Sequence, residues 1–453
     1  MYYKHLHKNL FFVENGKNLY LIQTYPFKIF SIKDRKQLNS IKNELIQKNY
    51  KTDFKRISYK NYFSLEFILT SMCNLDCKYC YAKREDSGYY GLTKMHMSKK
   101  TAKKAIDFSI NEIISSVKNK EERYILDVYF MGGEPLMNKK TLFFCMNYLE
   151  KQIKKLEGEN VKIDLQAAIS TNGTLIDDEI SKFFKKFNFN YVGITIDGEK
   201  HDEYRVYDDN KGTLSDIKKA IKVLDRNNIN LKLLSVVPPG DVNKIDDILA
   251  FYKREGFLDS AFRVSIVPRA PSLNELNRSC VIPKKFLEKQ IEKNEKINYT
   301  KKERKTFSDK IIEISKKFNI DERDIRKKMI DAIRMGGFSQ RCPAGICKIS
   351  VTPEGSIYPC HQLIGVDKFY MGSLNKFEKT RYEKIKQIFI DRTVFKLDKC
   401  KKCLFQTLCP PLVDCPARSF HEEKNFYKTS QYCDMYYDYI KDIFEDFMNT
   451  DMR

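Results

Sequence analysis

Cys73-Asn-Leu-Asp-Cys77-Lys-Tyr-Cys80 puts three thiols on one short loop, directly after the apolar run Leu65-Glu-Phe-Ile-Leu69. Structural cysteine behaves as a small hydrophobe, and it crowds like this when a metal or a disulfide holds the sulfurs. Three soft ligands on one loop can grip three corners of an iron–sulfur cube and leave the fourth iron without a protein ligand. The same thiols also suit a zinc site that lacks its fourth ligand. A second set follows much later: Cys342, Cys347 and Cys360, then Cys400-x2-Cys403-x5-Cys409-x5-Cys415-x17-Cys433. C-x2-C is equally the spacing of zinc ribbons, so on this set alone clusters and zinc are both open.

Such loops need rigid elements beneath them. Between residues 61 and 270 the pattern alternates strand and helix. The strand candidates are Leu65–Leu69, Ile125–Met131, Ile163–Ser170, Tyr191–Asp197, Leu231–Val237 and Phe262–Val267. Between them, Ala102, Ile106, Ile110 and Ile113 repeat at helical spacing behind a Ser98 cap, as do Leu214, Ile217, Ile221 and Leu224. Near-continuous apolar strands separated by amphipathic helices imply an α/β fold with a parallel sheet covered by helices. Six such units predict a partial (β/α)6 barrel, although a doubly wound sheet gives the same periodicity.

In parallel α/β folds, functional groups collect on loops at the C-terminal ends of strands. The three-Cys loop follows the first strand. Gly132-Gly133-Glu134-Pro135 follows the second, where two residues without side chains let a ligand approach the backbone. Ser170-Thr-Asn172-Gly173 ends the third and offers hydroxyl and amide groups to a ribose or an amino acid. Thr195-Ile-Asp197-Gly198 ends the fourth, with His201, Asp202 and Arg205 beyond it. Each motif alone is an ordinary turn; four in register after four successive strands are not.

The flanks divide by composition. Residues 1–60 read as a small β-rich cap with a hairpin at Asn15-Gly16 and a polar helix from Ser31 to Lys48. Residues 271–341 read as a helical bridge around Phe307, Ile311 and Phe318, with a second helix from Asp321 to Met335 stopped by Gly336-Gly337. Residues 342–435 are rich in Cys, Pro and turns, and 436–453 form an amphipathic helix (Tyr436, Ile440, Phe444, Phe447).

Thirteen cysteines in 453 residues do not suit the disulfide scaffold of a small secreted domain. The N-terminus lacks the apolar core of a signal peptide, and no run approaches a membrane span. The expectation is a cytoplasmic protein that uses no membrane. The formal charge of +22 would permit nucleic-acid binding, but Lys and Arg are spread along the polar faces of helices, so no nucleic-acid partner is expected. A zinc-binding, nucleic-acid-associated protein is the alternative from a non-catalytic class.

Cys73/Cys77/Cys80, GGEP, STNG and T-x-D-G with Arg205, in this order, resemble the radical S-adenosylmethionine (SAM) enzymes. The resemblance implies a 4Fe–4S cluster on the three cysteines with SAM on its open iron. It places Gly132, Gly133 and Glu134 at the methionyl amino group, Ser170 and Asn172 near the ribose or carboxylate, and Arg205 on the carboxylate. Asp197 becomes a polar contact or a cap, and Tyr79 lies near the adenine, mainly through its backbone. The C-terminal cysteines, with Val351-Thr-Pro-Glu-Gly355 and Tyr358-Pro-Cys360, resemble the SPASM extension, which carries two auxiliary 4Fe–4S clusters. By order, Cys342, Cys347, Cys360 and Cys415 hold the first and Cys400, Cys403, Cys409 and Cys433 the second. Two spacings depart from that pattern: the Cys409–Cys415 gap is long and the Cys342–Cys347 gap short. Without Cys347 the first auxiliary cluster has an open iron that can take a substrate thiolate. Cys145, in an apolar helical run, reads as core, and Cys280 lies in the bridge.

Tyr358-Pro-Cys360-His361-Gln-Leu-Ile-Gly resembles maturases that form thioethers in ribosomally made peptides, which implies a Cys-containing peptide substrate and an electron donor such as flavodoxin or ferredoxin. Anaerobic sulfatase-maturating enzymes, which make formylglycine, are the enzymatic alternative. They typically carry Asp, a proposed base, where this chain has His361, and His361 is the candidate base here.

Overall fold

The computed structural model describes residues 1–47, 61–80, 92–117, 122–238, 240–257, 261–266, 300–318, 325–410, 413–423 and 425–450. They belong to two compact units: Met1–Ser58 with Thr300–Cys342 and Ile390–Arg453, and Tyr59–Tyr299 with Pro343–Phe389. Cys280 lies outside the described residues.

The first unit begins with an antiparallel sheet of β1 (Tyr2–His7), β2 (Leu10–Asn15), β3 (Asn18–Thr24) and β4 (Phe27–Ile32), in that order. The predicted hairpin forms one residue later than the Asn-Gly pair suggests. Asn15 pairs with Asn18, so the two-residue loop is Gly16-Lys17, and Gly16 takes φ +62°. A glycine opening the loop supplies the positive φ that matches strand twist. β4 claims Ser31 and Ile32 from the helix expected there. Asp34 then caps α1 (Arg35–Gln47). Gln37 N–H donates to the Asp34 carboxylate (2.8 Å), and Lys33 N–H donates to the Gln37 side chain (2.7 Å). The two bonds together fix the start of the helix.

Among the described residues, four further α-helices belong to this unit: Lys301–Phe318, Ile325–Arg334, Pro416–Glu423 and Gln431–Thr450. The second ends where Gly337 N–H returns to the Ala332 carbonyl (2.7 Å), with Gly336 and Gly337 both at positive φ. The last begins five residues before the expected Tyr436, so Cys433 stands in its first turn. Tyr432, Tyr436, Ile440 and Phe444 are buried on one face of it.

The second unit is built on a nine-stranded sheet. β5 (Tyr62–Ile68), β6 (Arg123–Met131), β7 (Lys162–Thr171), β8 (Tyr191–Thr195), β9 (Leu231–Val237) and β10 (Ala261–Ile266) are all parallel and adjacent in sequence order. Each of the six predicted strands is present. A doubly wound sheet reverses direction at a switch point, whereas these strands step one way, as the wall of a partial barrel does. β11 (Lys348–Val351) adds to β5 in parallel, and β12 (Ser356–Tyr358) and β13 (Gly372–Ser373) continue the sheet antiparallel.

Helices α2 (Lys99–Ser116), α3 (Lys139–Gly158), α4 (Asp178–Lys186), α5 (His201–Tyr204), α6 (Leu214–Arg226) and α7 (Ile245–Arg254) connect the parallel strands. Ser98 caps α2 by accepting from Thr101 N–H (3.0 Å), and the predicted face of Ala102, Ile106, Ile110 and Ile113 is buried. Cys145 is wholly buried in α3, as a packed core residue should be. Among the described residues, no helix is long and apolar enough to cross a membrane.

Candidate active site

All four loop motifs stand at the C-terminal ends of β5 to β8. The three-Cys loop is fastened from two sides. On one side, Gly133 N–H donates to Thr70 O (2.9 Å) and Glu134 N–H to Met72 O (2.8 Å). On the other, Asp76 N–H reaches Val206 O (2.7 Å) and Lys78 N–H reaches Tyr204 O (2.8 Å). The glycines also meet a steric requirement inside the protein. A Cβ on Gly132 would lie 2.4 Å from Thr70 O, and one on Gly133 2.0 Å from Met72 O. What approaches these residues is the backbone of the cysteine loop itself.

Glu134 is fully buried and acts as a cross-brace. Its carboxylate accepts from Leu136 N–H (2.9 Å), the Thr171 hydroxyl (2.7 Å) and Asn172 N–H (2.7 Å). Burial pushes its carboxyl up to about 7 against the pull of those three bonds. Asn172 carries the brace onward: its amide N–H donates to Asn74 Oδ1 (2.8 Å) and its Oδ1 accepts from Thr174 N–H (2.9 Å). Asn74, one residue after Cys73, donates in turn to the Thr174 hydroxyl (2.9 Å). Ser170 is half-buried on β7, in register with Gly193 of β8. Asn74 and Thr171 hold this site and were not singled out in the sequence, because a lone Asn or Thr carries no spacing signal.

Tyr79, Asp197 and Arg205 form a connected buried group. The Tyr79 hydroxyl donates to Asp197 Oδ2 and accepts from Arg205 Nη1 (2.9 Å), while Asp197 Oδ1 accepts from Val236 N–H (2.8 Å). The Tyr79 side chain therefore has a structural task in addition to the backbone position expected for it. Burial raises the Asp197 carboxyl, opposed by Arg205 and the Tyr79 hydrogen bond. The His201 imidazole, buried and facing Arg205, is pushed down to about 3 and is neutral. Buried Arg205 Nε finds no hydrogen-bond acceptor among the described residues. A spare guanidinium donor beside the cysteine loop suits a carboxylate, the group expected of SAM.

The three thiols of the loop are the donor type an iron–sulfur cluster takes. Burial pushes Cys73 up to about 12, and Glu134, Cys77 and Cys80 push the same way. Sulfurs that disfavour each other's ionisation need a cation to become thiolates, which a metal cluster supplies. In the first unit, Cys400, Cys403, Cys409 and Cys433 line one cavity of about 250 Å3. Burial pushes Cys403 and Cys433 up to about 12, and the neighbouring thiols add to it. Thiolate sulfur is, here too, the donor type an iron–sulfur cluster takes. The expected first auxiliary quartet is divided: Cys342 and Cys415 belong to the first unit, and Cys347 and Cys360 to the second. Arg392 lies near both Cys342 and Cys415.

His361 is tied to a residue not singled out beforehand, Glu66. This carboxylate, 1% exposed in the middle of β5, accepts from Lys348 Nζ (2.5 Å), the Ser350 hydroxyl and His361 N–H (3.0 Å). His361 Nδ1 lies 3.1 Å from its Oε1. Burial opposes the charge on Glu66, but Lys348 and His361 overcome it and hold the carboxyl well below its usual range. The available signal was a charged residue inside an apolar central strand, which must be paired.

Comparison with known proteins agrees with this geometry. Residues 67–252 match the Radical SAM superfamily. A cysteine-type anaerobic sulfatase-maturating enzyme of Clostridium novyi is 26% identical over 354 residues, spanning 75% of this chain and 84% of the relative. One from Clostridium perfringens is 25% identical over 393 residues, spanning 84% and 96%. The solved structure of native anSMEcpe with bound AdoMet superposes with a TM-score of 0.63 at 21% identity, covering 85% of this chain and 98% of that one, a likeness of fold. The zinc-binding, non-catalytic alternative is set aside by these matches.

Proposed function

This chain carries a radical SAM domain and is a radical SAM enzyme, and from that premise we propose that it is a peptide maturase that cross-links a ribosomally made, Cys-containing peptide through a thioether. Cys73, Cys77 and Cys80 hold the SAM-binding 4Fe–4S cluster. Gly132, Gly133, Glu134, Ser170, Asn172, Tyr79, Asp197 and Arg205 bind or position SAM. Cys400, Cys403, Cys409 and Cys433 hold an auxiliary cluster. When bound, these groups supply reductive cleavage of SAM to a 5′-deoxyadenosyl radical and a sink for the electron left after product forms. The protein's own part is placement. The Glu134–Asn172–Asn74 brace fixes the cysteine loop, and the Tyr79–Asp197–Arg205 group presents a cation to an anionic ligand. A flavodoxin or ferredoxin would supply the electron.

The observation that carries the cross-linking reading is position 361. There an imidazole held on Glu66 stands in place of the carboxylate expected of sulfatase maturation. His361, oriented by Glu66, would take the proton from the reacting thiol. A second reading, formylglycine formation, is favoured by the near full-length similarity to the cysteine-type sulfatase-maturating enzymes. Anaerobic incubation with SAM and the Cys-containing peptide encoded beside the gene, followed by mass spectrometry, separates the two. Loss of two hydrogens per cross-link is expected. Loss of two hydrogens with sulfur replaced by oxygen, on a sulfatase-derived peptide, would instead establish the second reading.

A further inference from the structure

The parallel sheet of the second unit has two unlike faces. On the helix-covered face, Val128, Phe130, Ile169 and Val192 are wholly buried. Alternate residues point the other way, and there Tyr129 and Tyr191 are only half-buried. Parallel strands covered on both sides are near-continuous apolar runs, so two neighbouring tyrosines on this face need another reason. Tyr129 pairs with Ala168 and Ala168 with Tyr191, and the two rings meet with centroids 6.3 Å apart at 45°. Lys232 Nζ stands 4.0 Å from the centre of the Tyr191 ring and holds it by a cation–π contact. Gly193 is not required by its backbone: an added Cβ would meet nothing nearer than 3.5 Å, and φ is not positive. That Cβ would lie 3.9 Å from the Tyr191 ring, so the missing side chain leaves room beside it. Tyr129 is also in register with Glu66, which holds His361. It packs on the same apolar group as Cys80, formed by Ile68, Met131, Tyr358 and Ile364. The aromatic surface therefore borders both the strand position that holds the candidate base and the group that seats Cys80.

We propose that Tyr129 and Tyr191 are specificity-determining residues, whose rings receive an apolar side chain flanking the reacting cysteine of the peptide. The inference rests on the reading of this chain as a maturase of a Cys-containing peptide. Two rings with the Ala168 methyl between them offer carbon surface, which gains most by covering more carbon surface. A purely structural role would be for the rings to pack on each other and on Lys232.

The experiment uses the full-length, anaerobically reconstituted enzyme and whichever peptide the wild type converts, the one encoded beside the gene or a sulfatase-derived one. Each apolar residue flanking the peptide's cysteine is replaced in turn by Ala, and kcat and KM are read from product mass spectra. One such truncation is expected to cost the wild type about tenfold in kcat/KM, mostly through KM. In Tyr191→Ala, or in Tyr129→Ala should the first fold poorly, the same truncation is expected to cost less than about twofold, because protein and peptide changes then remove one shared contact. Gly193→Val fills the room beside the ring and is expected to lower kcat/KM for the parent peptide about tenfold while narrowing its advantage over the truncated one. A structural role alone would weaken every peptide alike. Retention of the full truncation penalty in both Tyr191→Ala and Gly193→Val overturns the inference, as does the lack of any penalty in the wild type. A raised KM for SAM with unaltered peptide discrimination overturns it too, since the surface would then serve SAM. Conversion of neither peptide by the wild type would sink the maturase reading itself, before any variant is compared, and the inference with it.

Discussion

A methyl group on Gly133 would sit 2.0 Å from the Met72 carbonyl oxygen, inside the backbone of the loop that carries the three cysteines. Gly133→Ala is therefore expected to lose more than about 2 kcal/mol of stability and at least about 100-fold in SAM cleavage, read by thermal denaturation and by 5′-deoxyadenosine release. Gly158, at the end of α3, would have nothing within 4 Å of an added methyl and has no positive φ; Gly158→Ala should be neutral or gain about 0.5 kcal/mol. Glu66 gives a test with a pH sign. Glu66→Gln removes the carboxylate that pairs with Lys348 and accepts from His361 N–H, and should cost about 3 kcal/mol in denaturant unfolding. The folded carboxyl lies below its unfolded value, so its contribution is complete above about pH 4.5 and is lost as pH falls toward the folded value. The gap between wild type and Glu66→Gln should narrow with acidification below that pH; a gap constant to pH 3 would refute the assignment. The sequence places Glu66 inside an apolar run but does not give its partners, which come from positions 348, 350 and 361.

At the scale of elements, the site is a set of loops tied to one another as well as to their strands. Asn172, leaving β7, bonds Asn74 in the loop after β5. Asn172→Ala removes that tie and should lower 5′-deoxyadenosine formation about tenfold, equivalent to about 1.4 kcal/mol, with iron content unchanged. Loss of iron in this variant would mean that the brace holds the cluster ligands themselves rather than their orientation toward SAM. The six parallel strands were legible because each is an apolar run between amphipathic helices. β11, β12 and β13 were not, at four, three and two residues. Runs that short carry no periodicity, and their membership in the sheet is decided by pairing with β5 and with one another. The hairpin at Gly16 shifted by a residue for a related reason: register follows the face of β2 and β3 on which Phe11, Val13, Tyr20 and Ile22 are buried, before it follows turn preference.

For the whole molecule, the expected iron content is about 12 atoms per chain if three cubanes form. Cys77→Ala should remove about four of them and abolish 5′-deoxyadenosine production. Cys400→Ala should also remove about four while leaving SAM cleavage in place. Iron analysis and product release on the same preparations check both, and normal SAM cleavage by Cys77→Ala would refute the assignment of the loop.

Residue identity and spacing were sufficient to place the motifs after four strands and to show the six-strand α/β pattern. Ligand type, turn chemistry and hydrophobic period are local properties, read within a few residues. Tertiary structure alone decided the direction in which the strands are ordered, the burial of Glu134 and the Tyr79–Asp197–Arg205 group. Each of these depends on which distant groups share a low-dielectric interior, where an unpaired charge is costly and a paired one is held in place. No spacing rule encodes that, because the partners of Tyr79 are 118 and 126 residues away.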